Sequence, residues 1–413
     1  MLGQDENRLM KRQFPIDEYP SLKRTRKRRF IRLRYILLLI LILVSLFFFS
    51  GHNSVKKISS VPVPAKKIEP ARESVCVFTK KDLVRIDQNT IKNHNLTIDW
   101  DLQQFIAEIA AKYKLYYGSI VVINAQTGDV LALYGQNTSG QDCSIGLETD
   151  LAASIFKLVT VTAAMDQRGF TSRSMFYYSG NAHTLYKKQL TNKRNKWCMD
   201  ISLADAFARS NNIVFAKLGT MYLGVEPIDL TAKKMGFWKS PLKEFESAPS
   251  SILIPKDDYN LAELACGFNK QTRISPLHAA QMVTAVMNGG CMVTPKLVRT
   301  QNANVMKIQV MKKETAQDLS AMMERTVRAG TVAKSFRRIS SDRVLKYLDI
   351  GAKSGSIDGD QPKGKRNWFV GYAKNRNTGE GIAIGCLLVL ESHFRIEADM
   401  FSRLVIRHYF LKR

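Results

Sequence analysis

Apolar residues recur along this 413-residue chain in different rhythms, and each predicts a different element. In LTIDWDLQQFIAEIAAKY, residues 96–113, Leu102, Phe105, Ile106, Ile109 and Tyr113 share one face at helical spacing, with Asp99 or Asp101 placed to cap the first turn. In GSIVVINAQTGDVLALYG, 118–135, two β-rich runs flank a Thr-Gly turn, the pattern of a hairpin. Residues 150–168 predict a helix with Thr149 or Asp150 at its N-cap. From about 200 to 290 the pattern is mainly helical, clearest in SPLHAAQMVTAVMNGG, 275–290, which Gly289 and Gly290 close. After 345 the texture changes again. GAKSGSI (351–357) and WFVGYA (368–373) predict strands, GIAIGCLLVL (381–390) a buried strand, and FRIEADMFSRLVIRHYF (394–410) a closing amphipathic helix. Strands at both ends with helices between predict an α+β fold whose sheet is assembled from distant segments.

One apolar run stands apart. YILLLILILVSLFFFSG, 35–51, is about the minimum length for a membrane span, and Lys23, Arg24, Arg26, Lys27, Arg28, Arg29, Arg32 and Arg34 precede it. The run is long for a signal peptide and no small-x-small cleavage site follows cleanly, so it predicts an uncleaved anchor. The positive-inside rule leaves the N-terminus in the cytoplasm and the rest outside, a single-pass membrane protein. Residues 52–75, rich in Lys, Pro and Ser, read as linker. The predicted organisation is therefore a basic tail at 1–34, a transmembrane helix at 35–51, a linker at 52–90 and one large domain at 91–413.

The net charge is +26, from 62 basic and 36 acidic residues. Anionic lipid headgroups account for much of that excess, and no zinc-finger, RNP or basic-zipper pattern is present, which argues against nucleic acid. The six cysteines form no C-x-x-C pair, so there is no support for a metal site, and no cofactor is implied. Cys266, Cys291 and Cys386 sit among apolar or small residues and predict packed thiols. Cys76, Cys143 and Cys198 lie in polar stretches, and an exported location permits a disulfide between two of them.

The chemistry begins with AASIFKLVTV, 152–161, where Lys157 lies in an almost apolar run three residues after Ser154. On a helix the two are neighbours. Burial favours the neutral amine, which can take a proton from a serine hydroxyl and make it a nucleophile. The tetrad alone is ambiguous: it recurs at Ser54/Lys57 and Ser240/Lys243, and a lysine can simply snorkel to water. Two further stretches change the picture. Ser210, Asn211 and Asn212 form a polar trio between the apolar runs ISLADAFAR and IVFAKLG, and Lys353–Ser354–Gly355–Ser356 lie on a predicted strand, where Gly355 would let another backbone approach closely.

Ser-x-x-Lys, Ser-x-Asn and Lys-Ser-Gly, in this order, make a set that resembles that of the penicillin-interacting serine acyltransferases. Over about 96–405 the chain resembles the transpeptidase domain of the penicillin-binding proteins, with support from LTIDWDLQQ, TPKLV at 294–298, AGTV at 329–332 and NWFVGYA at 367–373. The resemblance implies an antiparallel sheet flanked by helices plus an all-helical subdomain. It implies that Ser154 attacks a D-Ala-D-Ala stem peptide, Lys157 is its base and Ser210 relays a proton to the leaving D-alanine. Asn212 would hold the substrate backbone, Lys353 supply positive charge, Ser354 and Ser356 bind the terminal carboxylate, and the amides of Ser154 and Ser356 form an oxyanion hole. The implied partners are peptidoglycan stem peptides, β-lactam antibiotics and a glycosyltransferase or other wall-synthesis protein. Two departures stand out: Ala152 and Ala153 precede the serine where the family usually has Pro-Gly, and KSGS replaces the commoner KTGT. Two alternatives remain open here. One is a D,D-carboxypeptidase or class D-like β-lactamase, although class D enzymes usually carry an apolar residue where Asn212 stands. The other is a non-catalytic β-lactam sensor or wall-synthesis scaffold.

Overall fold

The hairpin about the Thr-Gly turn is the seed of the sheet. In the computed structural model β1 (Tyr117–Asn124) and β2 (Val130–Asn137) pair antiparallel. Gly128 turns between them at φ +79°, where a Cβ would lie 2.4 Å from the Thr294 carbonyl oxygen, so both space and backbone conformation require glycine. The structure describes residues 82–413 except 192, 243, 245–246, 301–303 and 392–395. The anchor expected at 35–51, the basic tail and Cys76 lie outside the described residues. Among those described, no helix is long and apolar enough to cross a membrane.

After β3 (Gly140–Gln141) come short pairs: β4 (Asp150–Leu151) with β7 (Arg273–Ile274), β5 (Met175–Tyr178) with β6 (Met199–Ser202), and β8 (Cys291–Val293) with β9 (Lys307–Gln309). β10 (Leu348–Asp360), β11 (Lys363–Asn375) and β12 (Gly381–Leu390) complete the main sheet in the order β10-β11-β12-β1-β2-β3. Strands from early and late in the described domain thus meet at the β12–β1 seam, as the pattern predicts. Every residue of β12 is buried, and period 2 sorts them. Ile382, Ile384, Cys386 and Leu388 pack with the helices Trp100–Lys112 and Ala398–Leu411. Ala383 and Leu387 face the helical lobe on the other side. Between them Gly385 lets the helix Pro276–Met287 lie against the sheet, since a Cβ there would meet the Pro276 carbonyl oxygen at 2.0 Å.

Asp99 caps the Trp100–Lys112 helix, accepting from the Leu102 amide at 3.2 Å. The helix expected across 150–168 is a correction. Asp150 and Leu151 pair with Ile274 and Arg273, a 3₁₀ turn follows at Ala153–Phe156, and the α-helix runs only from Lys157 to Arg168, so neither Thr149 nor Asp150 caps it. Asp150 instead pairs with Arg366. Packing also starts upstream of residue 91: Leu83 and Ile86 are buried with Leu96 and Ile98. Among the described cysteines all are free thiols, so the disulfide permitted between Cys143 and Cys198 is not formed. Cys143 is buried, against its polar surroundings in sequence, whereas Cys291, expected to be packed, is half-buried and donates to Gln309 Oε1 at 2.9 Å.

Candidate active site

The 3₁₀ turn places Ser154 directly below Lys157, because i and i+3 side chains eclipse in that geometry. Ala153 reaches the turn at φ +50°, a left-handed conformation that strains any residue with a Cβ. Ala153→Gly is expected to stabilise the protein by about 0.5–1 kcal/mol, the relieved strain less the added flexibility of the unfolded chain. A thermal melt reads it, and a lower Tm for the variant would contradict the strain. Gly267 sits beside this turn, where a Cβ would lie 2.0 Å from the Ala153 carbonyl oxygen, and so closes the turn against the Cys266 backbone.

Lys157 is fully buried, and its Nζ has three neighbours: Ser154 Oγ at 2.7 Å, Asn212 Oδ1 at 2.8 Å and the Cys266 carbonyl oxygen at 2.6 Å. The amide and carbonyl oxygens can only accept. They hold two N–H bonds, so in the neutral amine the lone pair is left for the Ser154 hydroxyl. Burial lowers the Lys157 pKa to about 8, and Cys266 opposes part of that shift. The second lysine registers the repulsion between the two: burial first, then the Lys157 charge, hold Lys353 well below the ordinary lysine value. Each ammonium also lies over an aromatic ring at 5.6 Å, Lys157 over Phe215 and Lys353 over Phe207.

Ser210 stands between the helices Leu203–Ala208 and Asn212–Lys217 at φ +55°, a conformation costing a non-glycine residue on the order of 1 kcal/mol. Asn211 holds the bend by capping the second helix at the Val214 amide. The result aims Ser210 Oγ at Lys353 Nζ, 3.0 Å away, while Lys353 also donates to the Ser354 carbonyl oxygen at 2.7 Å. β10 is the edge strand of the sheet, so its outer polar groups face the cleft. Gly355 allows the approach: a Cβ there would be 3.3 Å from the amide nitrogens of Ser154 and Ile155.

These segments wall a cleft of about 460 Å³. Ser154, Ser210, Asn212, Ser354, Gly355 and Ser356 line it, with Lys157 and Lys353 directly behind. All eight residues singled out from sequence therefore converge. Others were missed. Thr331, within AGTV, lines the cleft and shares a hydrogen bond with Ser354. His183 lines it from the loop after β5, and Lys365, Asn367, Glu397 and Asp399 line it from β11 and the start of the C-terminal helix. His183, Thr331, Glu397 and Asp399 are loop or helix-end positions, where no periodicity marks them, and Lys365 and Asn367 lie within β11.

An α+β fold with a serine–lysine pair under the edge strand of its sheet defines the class. Residues 118–390 match the model of the penicillin binding protein transpeptidase domain. The chain belongs to that family. It is 29% identical over 180 residues to penicillin-binding protein 3 of Bacillus subtilis strain 168, covering 42% of this chain and 26% of that protein. It is 21% identical over 314 residues to the peptidoglycan D,D-transpeptidase FtsI homolog of Mesostigma viride, covering 63% of this chain and 50% of the relative. The chain thus spans about a quarter to a half of the length of such curated relatives. Among solved structures, the D,D-transpeptidase domain of a peptidoglycan glycosyltransferase from Eggerthella lenta superposes with TM-score 0.62 at 19% identity, over 81% of this chain and 91% of that one. Penicillin-binding protein A of Mycobacterium tuberculosis gives 0.61 at 19% identity, over 76% of this chain and 81% of that one. At these identities the structures speak for the fold.

Proposed function

We propose that the protein is a peptidoglycan D,D-transpeptidase acting through a Ser154 acyl-enzyme. The observation that carries the reading is the hydrogen-bond pattern at Lys157, whose neutral form has one free direction, toward Ser154 Oγ at 2.7 Å. In the forward step Oγ attacks the carbonyl between the two D-alanines and its proton passes to Lys157. The amides of Ser154 and Ser356 receive the oxyanion, worth about 3 kcal/mol per donor in such sites. The C–N bond breaks, and D-alanine leaves with a proton relayed through Ser210. An acceptor amine then attacks the ester, forming the cross-link and freeing Ser154. Asn212 holds the peptide backbone, Lys353 draws in the terminal carboxylate, and Ser354 and Ser356 bind it. β-Lactams would be trapped at the acyl stage.

The wider reading is an anchored enzyme: tail 1–34 in the cytoplasm, span 35–51, linker 52–90 and the domain outside the membrane, working beside a glycosyltransferase. Family membership supports it, together with the apolar and basic runs of the N-terminal segment.

The test supplies a donor peptide ending in D-Ala-D-Ala with an amine acceptor, and follows released D-alanine and acceptor-linked product by mass spectrometry. Linked product in excess of hydrolysed donor is expected. Hydrolysis alone would make the protein a carboxypeptidase, and no release would leave a scaffold. The rate of acylation by benzylpenicillin should also depend on pH. Because only the neutral amine accepts the proton, the rate should fall about tenfold per unit below pH 8 and level off above it. A profile flat from pH 6 to 9 would remove Lys157 as the base.

A further inference from the structure

We infer that His183 is a catalytic residue of the second half-reaction, the proton acceptor that converts an incoming ammonium into the amine that attacks the acyl-enzyme. The inference rests on the transpeptidase reading above and adds a group that the motif set does not contain.

His183 lines the same cleft as Ser154, Ser210 and Asn212. Its position is fixed by the residue that orients Lys157. Asn212 accepts from Lys157 Nζ through Oδ1 and donates through Nδ2 to the His183 carbonyl oxygen at 2.9 Å. The Asn212 amide also donates to the Ala182 carbonyl oxygen at 2.7 Å, and the His183 amide donates to Asn181 Oδ1 at 2.9 Å. Two residues on, the Leu185 carbonyl oxygen takes the Tyr259 hydroxyl at 2.9 Å. The loop is thus tied on both sides of His183, and its backbone is held beside the cleft.

The chemistry leaves a task for such a group. An aliphatic amine reaches a neutral solution as R–NH₃⁺, which has no lone pair. Lys157 and Lys353 are hydrogen-bonded to Ser154 and Ser210, Lys157 to carry the serine proton and Lys353 to supply charge to the terminal carboxylate. A neutral imidazole in the cleft accepts one proton from R–NH₃⁺, giving R–NH₂ and imidazolium. The amine then attacks the ester carbonyl, the C–N bond forms and the C–Oγ bond breaks. The amine's surplus proton returns to Ser154 Oγ through Lys157, and the imidazolium releases its proton to water. Partial burial first, and then the Lys157 and Lys353 charges, hold His183 below the ordinary histidine value, which favours the neutral imidazole. The other ionisable groups facing this space are Lys365, Glu397 and Asp399 along the cleft, with Lys187 and Tyr259 packed by the same loop. Glu397 and Asp399 are the competing bases.

The test uses the full chain in detergent and compares two acceptors at pH 7: glycine, an ammonium there, and hydroxylamine, already neutral. Transfer is expressed per acyl-enzyme formed. His183→Gln should lose about tenfold or more with glycine and no more than about twofold with hydroxylamine. A merely structural role would depress both alike, and that result, or no loss with glycine, overturns the inference. The same acceptor-selective loss in Glu397→Gln or Asp399→Asn, with none in His183→Gln, overturns it too. If His183→Gln is no longer acylated by benzylpenicillin, His183→Ala with added imidazole decides: recovery of glycine transfer supports the inference and its absence overturns it. Failure of the unsubstituted protein to be acylated would sink the transpeptidase reading itself, a distinct outcome.

Discussion

Lys157→Met should slow acylation by benzylpenicillin by about 10²–10⁴-fold, the usual worth of a positioned general base. Methionine fills similar volume in an apolar wall, so the fold should persist. It leaves Asn212 Oδ1 and the Cys266 carbonyl oxygen without their lysine donor, a loss of about 1–3 kcal/mol for each buried acceptor left unpaired. The kinetic and structural effects are therefore separable. Circular dichroism should show a folded protein, while the rate of adduct formation collapses. A folded variant that acylates at the parent rate would show that something other than Lys157 takes the Ser154 proton.

Asp150→Ala is expected to have the largest effect on stability. Arg366 is almost fully buried and spends its guanidinium on Asp150 Oδ1 at 3.0 Å and on the carbonyl oxygens of Gln361, Pro362 and Gly364. Removing the carboxylate leaves a buried cation without its counter-charge, which costs about 3–5 kcal/mol. For a domain of this size that corresponds to a fall in Tm of roughly 5–10 °C. The damage should reach the chemistry, because the neighbouring Leu151 carbonyl oxygen accepts from Trp368 Nε1 at 2.8 Å and the two contacts together pin the approach to Ser154 onto β11. Asp150→Asn keeps an acceptor and should fall between parent and alanine. A melt unchanged by Asp150→Ala would mean that the pair contributes nothing to the fold.

The same segment shows where sequence reading succeeds and where it stops. The Thr-Gly hairpin, the capped helix after Asp99 and the strand from Gly381 to Leu390 were legible because each is decided by local turn chemistry or by one uninterrupted periodicity. The spacing of Ser154 and Lys157 was legible for the same reason. The backbone at 150–156 was not. Its partners are Arg273 and Ile274 in one direction and Arg366 and Trp368 in the other, more than a hundred residues away, and those contacts override the helical pattern. Cys143 was misjudged on similar grounds: its neighbours in sequence are polar, but its neighbours in space belong to the core beneath β1 and β2. Ser210, Asn212 and Lys353 could be nominated by motif order, yet the bond from Lys353 to Ser210 spans 143 positions and had to be seen. His183, Glu397 and Asp399 sit at loop or helix-end positions, and only the closed cleft reveals them.

The central claim is that Ser154 is the nucleophile. The most direct measurement is the intact mass of the protein after exposure to benzylpenicillin, followed over hours with peptide mapping, beside Ser154→Ala. A lasting adduct of one penicillin mapped to Ser154, with none on the variant, is the predicted result. An adduct on both proteins, or none on the folded parent, would contradict it.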